Sequence, residues 1–256
     1  MIKGGKMRKE QLVRELLNCR YAHRGLHDKP RIAENSMTAF ERAAAGGFGI
    51  ELDVHLTGDG RLAVIHDKSL ARTCGKDVDI DRISFAEAGR YTLEESGETI
   101  PEFRSVLGAV DGRVPIIVEL KVDAGASREE LCRKVARELD GYEGRFCIES
   151  FDPIAVRWFK KNRPFMVRGQ LAGSLKKQGT KINILSEFLL KNLWVNTINA
   201  PDFVAYRFED REEKAFRRYK GAKFLWTIRK YEDLLTAEAM GAAGIFERFD
   251  PREYDG

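Results

Sequence analysis

The sequence predicts a single (β/α)8 barrel, or TIM barrel, with a small insertion after its second strand. Eight short runs of β-branched or aromatic residues recur along the chain, and most are separated by segments of helical character. Eight such units in 256 residues match the usual length of a closed barrel. A doubly wound sheet is disfavoured, because neither a GxGxxG motif nor a P-loop is present.

The predicted strands are bounded by turn residues and lie near Arg20–Arg24, Phe48–Val54, Pro115–Val122, Arg145–Phe151, Phe165–Leu171, Leu193–Ile198, Lys223–Ile228 and Gly244–Phe249. Helices are predicted at Ser36–Ala45, Ser127–Leu139, Pro153–Asn162, Pro201–Tyr219 and Tyr231–Met240, with Ser36, Ser127 and Asp152 as N-caps. An extra strand-like run, Arg61–Ile65, precedes a charged stretch with little periodic apolar pattern. We therefore expect an insertion at about residues 68–102 within one domain spanning residues 1–256.

Composition indicates a soluble protein without membrane-spanning segments, since 43% of residues are apolar and 33% are charged. Arg14 and Glu15 interrupt the apolar segment near the N-terminus, which does not fit a signal peptide. The four cysteines are scattered, which is typical of reduced thiols and favours a cytoplasmic location. A net charge of +4 argues against nucleic-acid or membrane partners, and the sequence contains no signal for an oligomeric state.

Polar residues collect at the ends of the first three predicted strands and in the loop after the second. They occur in the runs His23-Arg24-Gly25, Glu51-Leu52-Asp53, His66-Asp67 and Glu119-Leu120-Lys121. Active sites of (β/α)8 barrels lie at the C-terminal ends of the strands. We therefore expect these side chains to meet at one rim of the barrel.

Carboxylates dominate this set. Side chains alternate along a strand, so Glu51 and Asp53 share one face, as do Glu119 and Lys121. Three carboxylates are costly to desolvate together unless a cation joins them, and oxygen ligands suit Mg²⁺, Ca²⁺ or Mn²⁺. The spacing predicts one divalent cation, but it also permits a purely structural arrangement in which Glu51 and Asp53 form salt bridges with Arg24 and Lys121.

Two of the four histidines, His23 and His66, stand beside Arg or Asp at predicted strand ends. An imidazole pKa of about 6.5 lets one accept and the other donate a proton near neutral pH. Cleavage of a phosphodiester needs both steps, together with positive charge on the phosphoryl oxygens, which Arg24 and Lys121 would supply beside a metal. His55 shares a face with the acidic pair and is a reserve ligand.

These residues, in this order, resemble the glycerophosphodiester phosphodiesterase family. The motifs that carry the resemblance are His23-Arg24-Gly25, Glu34-Asn35-Ser36, Glu51-Leu52-Asp53-Val54, Thr57-Gly58-Asp59-Gly60, His66-Asp67, Ile100-Pro101 and Glu119-Leu120-Lys121. Later similarities, Ser150-Phe151-Asp152-Pro153 and Trp226-Thr227, are weaker. The sequence departs from the family at Ala33, where a proline is usual, and in the final strand, Gly244-Ile245-Phe246-Glu247.

The resemblance implies hydrolysis of glycerophosphodiesters to glycerol 3-phosphate and an alcohol, as in glycerol and lipid metabolism. It implies that His23 and His66 act as acid and base, that Arg24 and Lys121 contact the phosphate, that one Mg²⁺, Ca²⁺ or Mn²⁺ is bound, and that the cation ligands are Glu51, Asp53 and Glu119. Glu34 and Trp226 are expected to support the site. Two alternatives remain: a lysophospholipase D acting on lipids, and a barrel that binds phosphodiesters without turnover.

Overall fold

The structure is a computed structural model that describes residues 2–123, 127–174 and 183–254, with side chains described from residue 9 onward. In these ranges eight parallel strands alternate with helices, which confirms the predicted (β/α)8 barrel. The chain divides into two compact units. The first unit comprises residues 21–146, and the second comprises residues 1–20 and 147–256, beginning with helix α1 (Ile2–Leu17).

The first unit contains strands β1 (Tyr21–His23), β2 (Gly49–Leu56), β3 (Leu62–Val64) and β4 (Ile116–Leu120). Strand β2 is parallel to both β1 and β4, and β3 pairs with the end of β2 in the antiparallel direction. The helices of this unit are α2 (Met37–Ala45), α3 (Ala71–Cys74), α4 (Phe85–Ala88), α5 (Phe103–Val110) and α6 (Arg128–Asp140). Every residue of β2 is buried, so its polar side chains need partners inside the protein.

The second unit contains strands β5 (Phe146–Ser150), β6 (Arg168–Ala172), β7 (Phe203–Arg207), β8 (Ala222–Ile228) and β9 (Ala243–Phe246), each parallel to the next. Its further helices are α7 (Pro153–Asn162), α8 (Ile184–Lys191), α9 (Asn196–Asn199), α10 (Lys214–Arg218) and α11 (Tyr231–Ala239). Aromatic packing contributes to its core, where the rings of Phe203 and Phe224 lie 4.6 Å apart. None of the described helices is both long and apolar enough to cross a bilayer.

Helix starts follow the predicted caps. The side chains of Ser36, Ser127 and Asp152 each accept hydrogen bonds from backbone N–H groups in the first turns of α2, α6 and α7. The turn between β1 and α2 requires a glycine, because Gly25 has φ +78° and a Cβ there would lie 2.8 Å from the carbonyl carbon of Ala39. This close contact fixes the chain immediately after His23 and Arg24.

The predicted insertion, residues 68–102, lies between β3 and α5 and folds around an apolar cluster of its own. Buried members of this cluster are Leu70, Ile80, Ile83, Ala88, Leu93 and Ile100, joined by Ala33, Ala63 and Ile65. Short bridges, Ser69 to Asp79 and Thr92 to Thr99, close its turns. The insertion therefore holds its shape by burial of apolar side chains, although its sequence shows little regular apolar periodicity.

The predicted strand Leu193–Ile198 is wrong. Its residues lie in the helical turns around α9, where Leu193 and Val195 are buried. Trp194 and Ile198 are instead 59% and 44% exposed. The apolar, partly β-branched composition matched a strand, but helical packing against α7 decided the conformation.

The predicted helix Pro201–Tyr219 is wrong over most of its length. It contains strand β7 and a 3-10 turn at Phe208–Asp210, and only α10 is an α-helix. Four of the five β7 residues are buried, which a continuous apolar run in a parallel strand explains better than one face of a helix. The strand predicted at Phe165–Leu171 begins later, at Arg168.

Replacing Ile80 by Ala should destabilise the protein by about 2–5 kcal/mol, because it opens a cavity in the apolar cluster of the insertion. The same substitution at Ile184, which is 75% exposed on α8, should change stability by less than about 0.5 kcal/mol. Urea unfolding followed by circular dichroism measures both. Equal, small effects would show that the insertion has no packed core.

Candidate active site

The register of β2 brings the predicted polar residues of the first unit together. Glu51 is the Cα partner of His23 on β1, and Asp53 is the partner of Glu119 on β4. Ligand atoms of Glu51, Asp53 and Glu119 lie within 4.8 Å of one another, and all three side chains are buried. We call these three residues the carboxylate cluster.

Arg24 and Lys121 face this cluster. The Lys121 Nζ lies 2.9 Å from Asp53 Oδ1 and 2.8 Å from Glu119 Oε1. The Arg24 Nε lies 3.4 Å from Asp53 Oδ2, and its backbone N–H donates to Glu51 Oε2 at 3.0 Å. The salt bridges to Asp53 that spacing alone permitted are therefore present, but three carboxylates facing two cationic side chains leave one formal negative charge.

Burial and charge shift the pKa values of the cluster in opposite directions. Burial alone would raise the pKa of Asp53, but Lys121 above all holds it well below its usual range. Burial raises the pKa of Glu119, and repulsion by Asp53 adds to that effect although Lys121 opposes it. Burial would lower the pKa of Lys121, but Asp53 and Glu119 raise it. Of these two carboxylates, Glu119 is thus the one whose charge is less compensated.

The donor set fits a hard divalent cation. It consists of carboxylate oxygens only, with no thiolate among the three ligands. A cation bound there would offset the remaining negative charge and favour the ionised form of Glu119. The carboxylate cluster can therefore bind a divalent metal.

His23 precedes the carboxylate cluster in the sequence, whereas His66 lies between Asp53 and Glu119. His23 ends β1, and its Nε2 lies 3.9 Å from Glu51 Oε2. His66 follows β3, and its Nδ1 lies 2.5 Å from Asp67 Oδ1. Burial, followed by the charge of Lys121, lowers the pKa of His66 to about 4, so its imidazole is neutral at pH 7. Because Nδ1 donates to the Asp67 carboxylate, Nε2 is the nitrogen that can accept a proton.

A network of carboxylates and cations extends from this histidine to the loop before α2. Arg72 on α3 donates from Nε to Asp67 Oδ2 at 2.5 Å and from Nη2 to Glu34 Oε1 at 2.6 Å. Glu34 also accepts from Arg24 Nη1 at 2.8 Å and contacts Lys29. Glu34 therefore joins the insertion to the residue beside the carboxylate cluster.

Sequence reasoning missed the roles of Asn35 and Arg72. Asn35 adopts φ +55°, and its Nδ2 donates to Asp53 Oδ2 at 2.8 Å. Its position directly after Glu34 was a usable signal, because Asn tolerates the left-handed conformation better than most residues. Arg72 stands in a charged, irregular stretch, and nothing in the sequence pattern distinguished it from a solvated arginine.

Trp226, expected to support the site, lies on β8 in the second unit. It is 9% exposed, and its ring packs edge to face against Phe151 at 5.5 Å. Its indole N–H has no acceptor among the described residues. A buried N–H without a partner is costly, so this group is available to a bound polar ligand.

Comparison with known proteins agrees with this geometry. The model of the glycerophosphoryl diester phosphodiesterase family matches residues 23–248. A glycerophosphodiester phosphodiesterase from Caldanaerobacter subterraneus subsp. tengcongensis is 35% identical over 239 residues, covering 88% of this chain and 91% of that protein. The chain belongs to the glycerophosphoryl diester phosphodiesterase family. The family and the enzyme class expected from the sequence are thereby confirmed.

Two further similarities concern the fold and part of the sequence. The structure of an Oleispira antarctica phosphodiesterase in complex with the product sn-glycerol-3-phosphate matches with a TM-score of 0.74 at 20% identity, over 92% of this chain and 94% of that one. A lysophospholipase D from Rattus norvegicus is 27% identical over 121 residues, covering 43% of this chain and 38% of that protein. The first similarity supports the barrel fold of this family member.

Glu119→Gln should weaken binding of a divalent cation by about 100-fold or more, because losing even an outer-shell partner of a metal ligand costs roughly 10–100-fold. Isothermal titration with Mg²⁺, Ca²⁺ and Mn²⁺ measures the dissociation constants. Glu102→Gln is the matched control, since Glu102 pairs with Arg61 in the same unit. Unchanged affinity in Glu119→Gln would remove Glu119 from the ligand set.

Arg72→Gln should destabilise the protein at pH 7 and do so less at pH 3. Burial would raise the pKa values of Glu34 and Asp67. The hydrogen bond from Arg72 lowers the pKa of Glu34, and the hydrogen bonds from His66 and Arg72 lower that of Asp67. A lowered folded-state pKa contributes stability above the unfolded value, about 4, and that contribution is lost as the pH falls through the folded value.

Thermal unfolding of the parent and of Arg72→Gln, each at pH 7 and at pH 3, measures how the loss of stability depends on pH. Arg82→Gln is the control, because Arg82 is an exposed arginine of the same insertion, 3.7 Å from Asp81. A destabilisation by Arg72→Gln that is as large at pH 3 as at pH 7 would contradict the assigned ion pairs.

Proposed function

We propose that the protein hydrolyses glycerophosphodiesters to glycerol 3-phosphate and an alcohol, with one divalent cation held by the carboxylate cluster. The observation that carries the proposal is the convergence of Glu51, Asp53 and Glu119 with Arg24 and Lys121 in a member of this family. The glycerol 3-phosphate bound to the Oleispira antarctica phosphodiesterase supports the choice of product.

The bound cation would supply positive charge to the phosphoryl oxygens and lower the pKa of an attacking oxygen. Arg24 and Lys121 lie beside the cluster, where their charges can bind the non-bridging oxygens of the substrate phosphate. Lys121 would then exchange part of its contact with Asp53 and Glu119 for contact with the phosphate. The Lys121 ammonium is thus paired with negative charge both before and after the substrate binds.

His23 and His66 would share the two proton transfers. One removes the proton of the attacking hydroxyl or water, and the other protonates the leaving alkoxide. The bond between His66 Nδ1 and Asp67 fixes the tautomer that presents Nε2 as an acceptor. The Arg72 guanidinium holds Asp67 in place, so the orientation of the imidazole also depends on Arg72.

A lysophospholipase D activity is the second candidate. Large apolar side chains are exposed along α8 and α9, and the rings of Phe188 and Trp194 meet edge to face at 5.4 Å. Such side chains suit an acyl chain better than the small alcohol of a glycerophosphodiester. The partial similarity to the lysophospholipase D from Rattus norvegicus supports including lipid substrates in the test.

The test is release of glycerol 3-phosphate from glycerophosphocholine and glycerophosphoethanolamine. The lipid arm is release of choline from lysophosphatidylcholine, which leaves lysophosphatidic acid. Turnover should disappear with EDTA and return with Mg²⁺, Ca²⁺ or Mn²⁺. His23→Ala and His66→Ala should each lower kcat by about 100-fold or more, since general acid–base catalysis contributes roughly 10²–10⁴-fold. The affinity of both histidine variants for the cation should change little.

His27→Ala is the matched control, since His27 is a partly buried histidine four residues beyond His23 and should keep parental activity. Activity on lysophosphatidylcholine alone would replace the proposed substrate with a lipid. A folded protein that binds the cation but releases no product from any of the three substrates would favour binding without turnover.

A further inference from the structure

His55 lies on β2, two residues beyond Asp53, and is 3% exposed. Its Nε2 lies 2.9 Å from the carbonyl oxygen of His66, and its Nδ1 lies 2.9 Å from Asp123 Oδ2. The sequence suggested His55 as a reserve metal ligand. Both ring nitrogens are instead occupied by other partners, so the structure does not support that role.

Both partners of this ring are acceptors. A carbonyl oxygen can only accept a hydrogen bond, and an ionised carboxylate can only accept as well. Burial would raise the pKa of Asp123, but its hydrogen bond and electrostatic interaction with His55, followed by the charges of Lys68 and Lys121, lower it. The ring is therefore held between two acceptors, the carbonyl oxygen of His66 and the carboxylate of Asp123.

The carbonyl that His55 holds belongs to the peptide group between His66 and Asp67. Fixing that peptide orients both the imidazole of His66 and the carboxylate that bonds to it at 2.5 Å. The preceding residue is held too, because the Ile65 N–H donates to the carbonyl of Asp53 at 3.0 Å. The loop that carries His66 is thus attached to β2 by a backbone bond and by a side-chain bond.

We propose that His55 and Asp123 form a positioning pair that fixes His66 for proton transfer. This inference rests on the proposed function, in which His66 is one of the two proton-transfer groups. His55 acts on His66 through the main chain of that residue, and Asp123 acts on it through His55. Asp123 also interacts electrostatically with Lys68 and Lys121. Neither touches the substrate, so they are positioning residues. Loss of the pair should misplace the imidazole and leave the carboxylate cluster in place.

Asp123 is the residue to change first, because it is 31% exposed and its replacement puts less of the core at risk than that of His55. Asp123→Ala removes the acceptor, whereas Asp123→Asn keeps an oxygen that can accept from Nδ1. Asp79→Ala is the matched control. Asp79 and Asp123 both interact electrostatically with Lys68, but the structure gives Asp79 no contact with a histidine among the described residues. His55→Gln tests the other member of the pair.

With metal-restored hydrolysis as the assay, Asp123→Ala should lower kcat about tenfold or more, because a misplaced proton-transfer group slows the chemical step. It should change KM and metal affinity by less than about twofold, because His66 is not among the proposed metal ligands. Asp123→Asn should recover part of the loss. His55→Gln should behave like Asp123→Ala, and Asp79→Ala should match the parent. A merely structural role would instead lower the melting temperature and the active fraction without this separation of kcat from KM.

A second readout does not depend on activity. The chain has four histidines, so nitrogen-15 spectra of the imidazole rings can be assigned by single substitution. Asp123→Ala should shift the ring signals of His55 and His66 and leave those of His23 and His27 in place. Asp79→Ala should shift none of them.

Unchanged His66 ring signals in Asp123→Ala would overturn the positioning pair, with or without a fall in kcat. Parental kcat in that variant would overturn it as well. If the parent hydrolyses none of the substrates, the proposed function fails, and the His66 signals alone then decide whether the pair fixes that ring.

Discussion

Glu51, Asp53 and Glu119 place three carboxylates in one buried cluster, and removing such groups from water costs on the order of several kcal/mol per ion unless partners replace the lost hydration. Arg24 and Lys121 supply the nearest opposite charge. Each of these cations directly follows the last residue of its own strand, β1 or β4, and contacts Asp53 from there. The geometry around the cluster is therefore governed by charge compensation more than by apolar packing.

The faces of these strands could be predicted, but their register could not. Alternation alone places Glu51 with Asp53, and Glu119 with Lys121. That Asp53 lies opposite Glu119 depends on how β2 and β4 pair, which is set by the core around them. The turn that contains Asn35 sets its left-handed conformation, which directs its amide to Asp53. The sequence indicates this conformation only weakly, through the tolerance of asparagine for positive φ.

Errors in the second unit have a related cause. The segment 193–198 and strand β7 are both short, apolar and partly β-branched, so composition does not separate them. The first contains both buried and exposed residues, with its last two residues exposed, whereas β7 is buried almost throughout. Burial on both faces is a property of the finished barrel, and charged residues after β7 made a helix the better local match.

Arg72 shows why the insertion matters to the chemistry. A guanidinium can hold Glu34 and Asp67 together only if the short helix that carries it is itself fixed. Four residues of helix are too few to be stable alone, so α3 depends on the apolar cluster formed by Leu70, Ile80 and their neighbours. If the apolar cluster of the insertion were less well packed, Arg72 and Asp67 would move, and the orientation of the His66 imidazole would change with them. The hydrogen bonds within β2 would remain. The insertion thus couples a small apolar core to the orientation of one imidazole through Arg72 and Asp67.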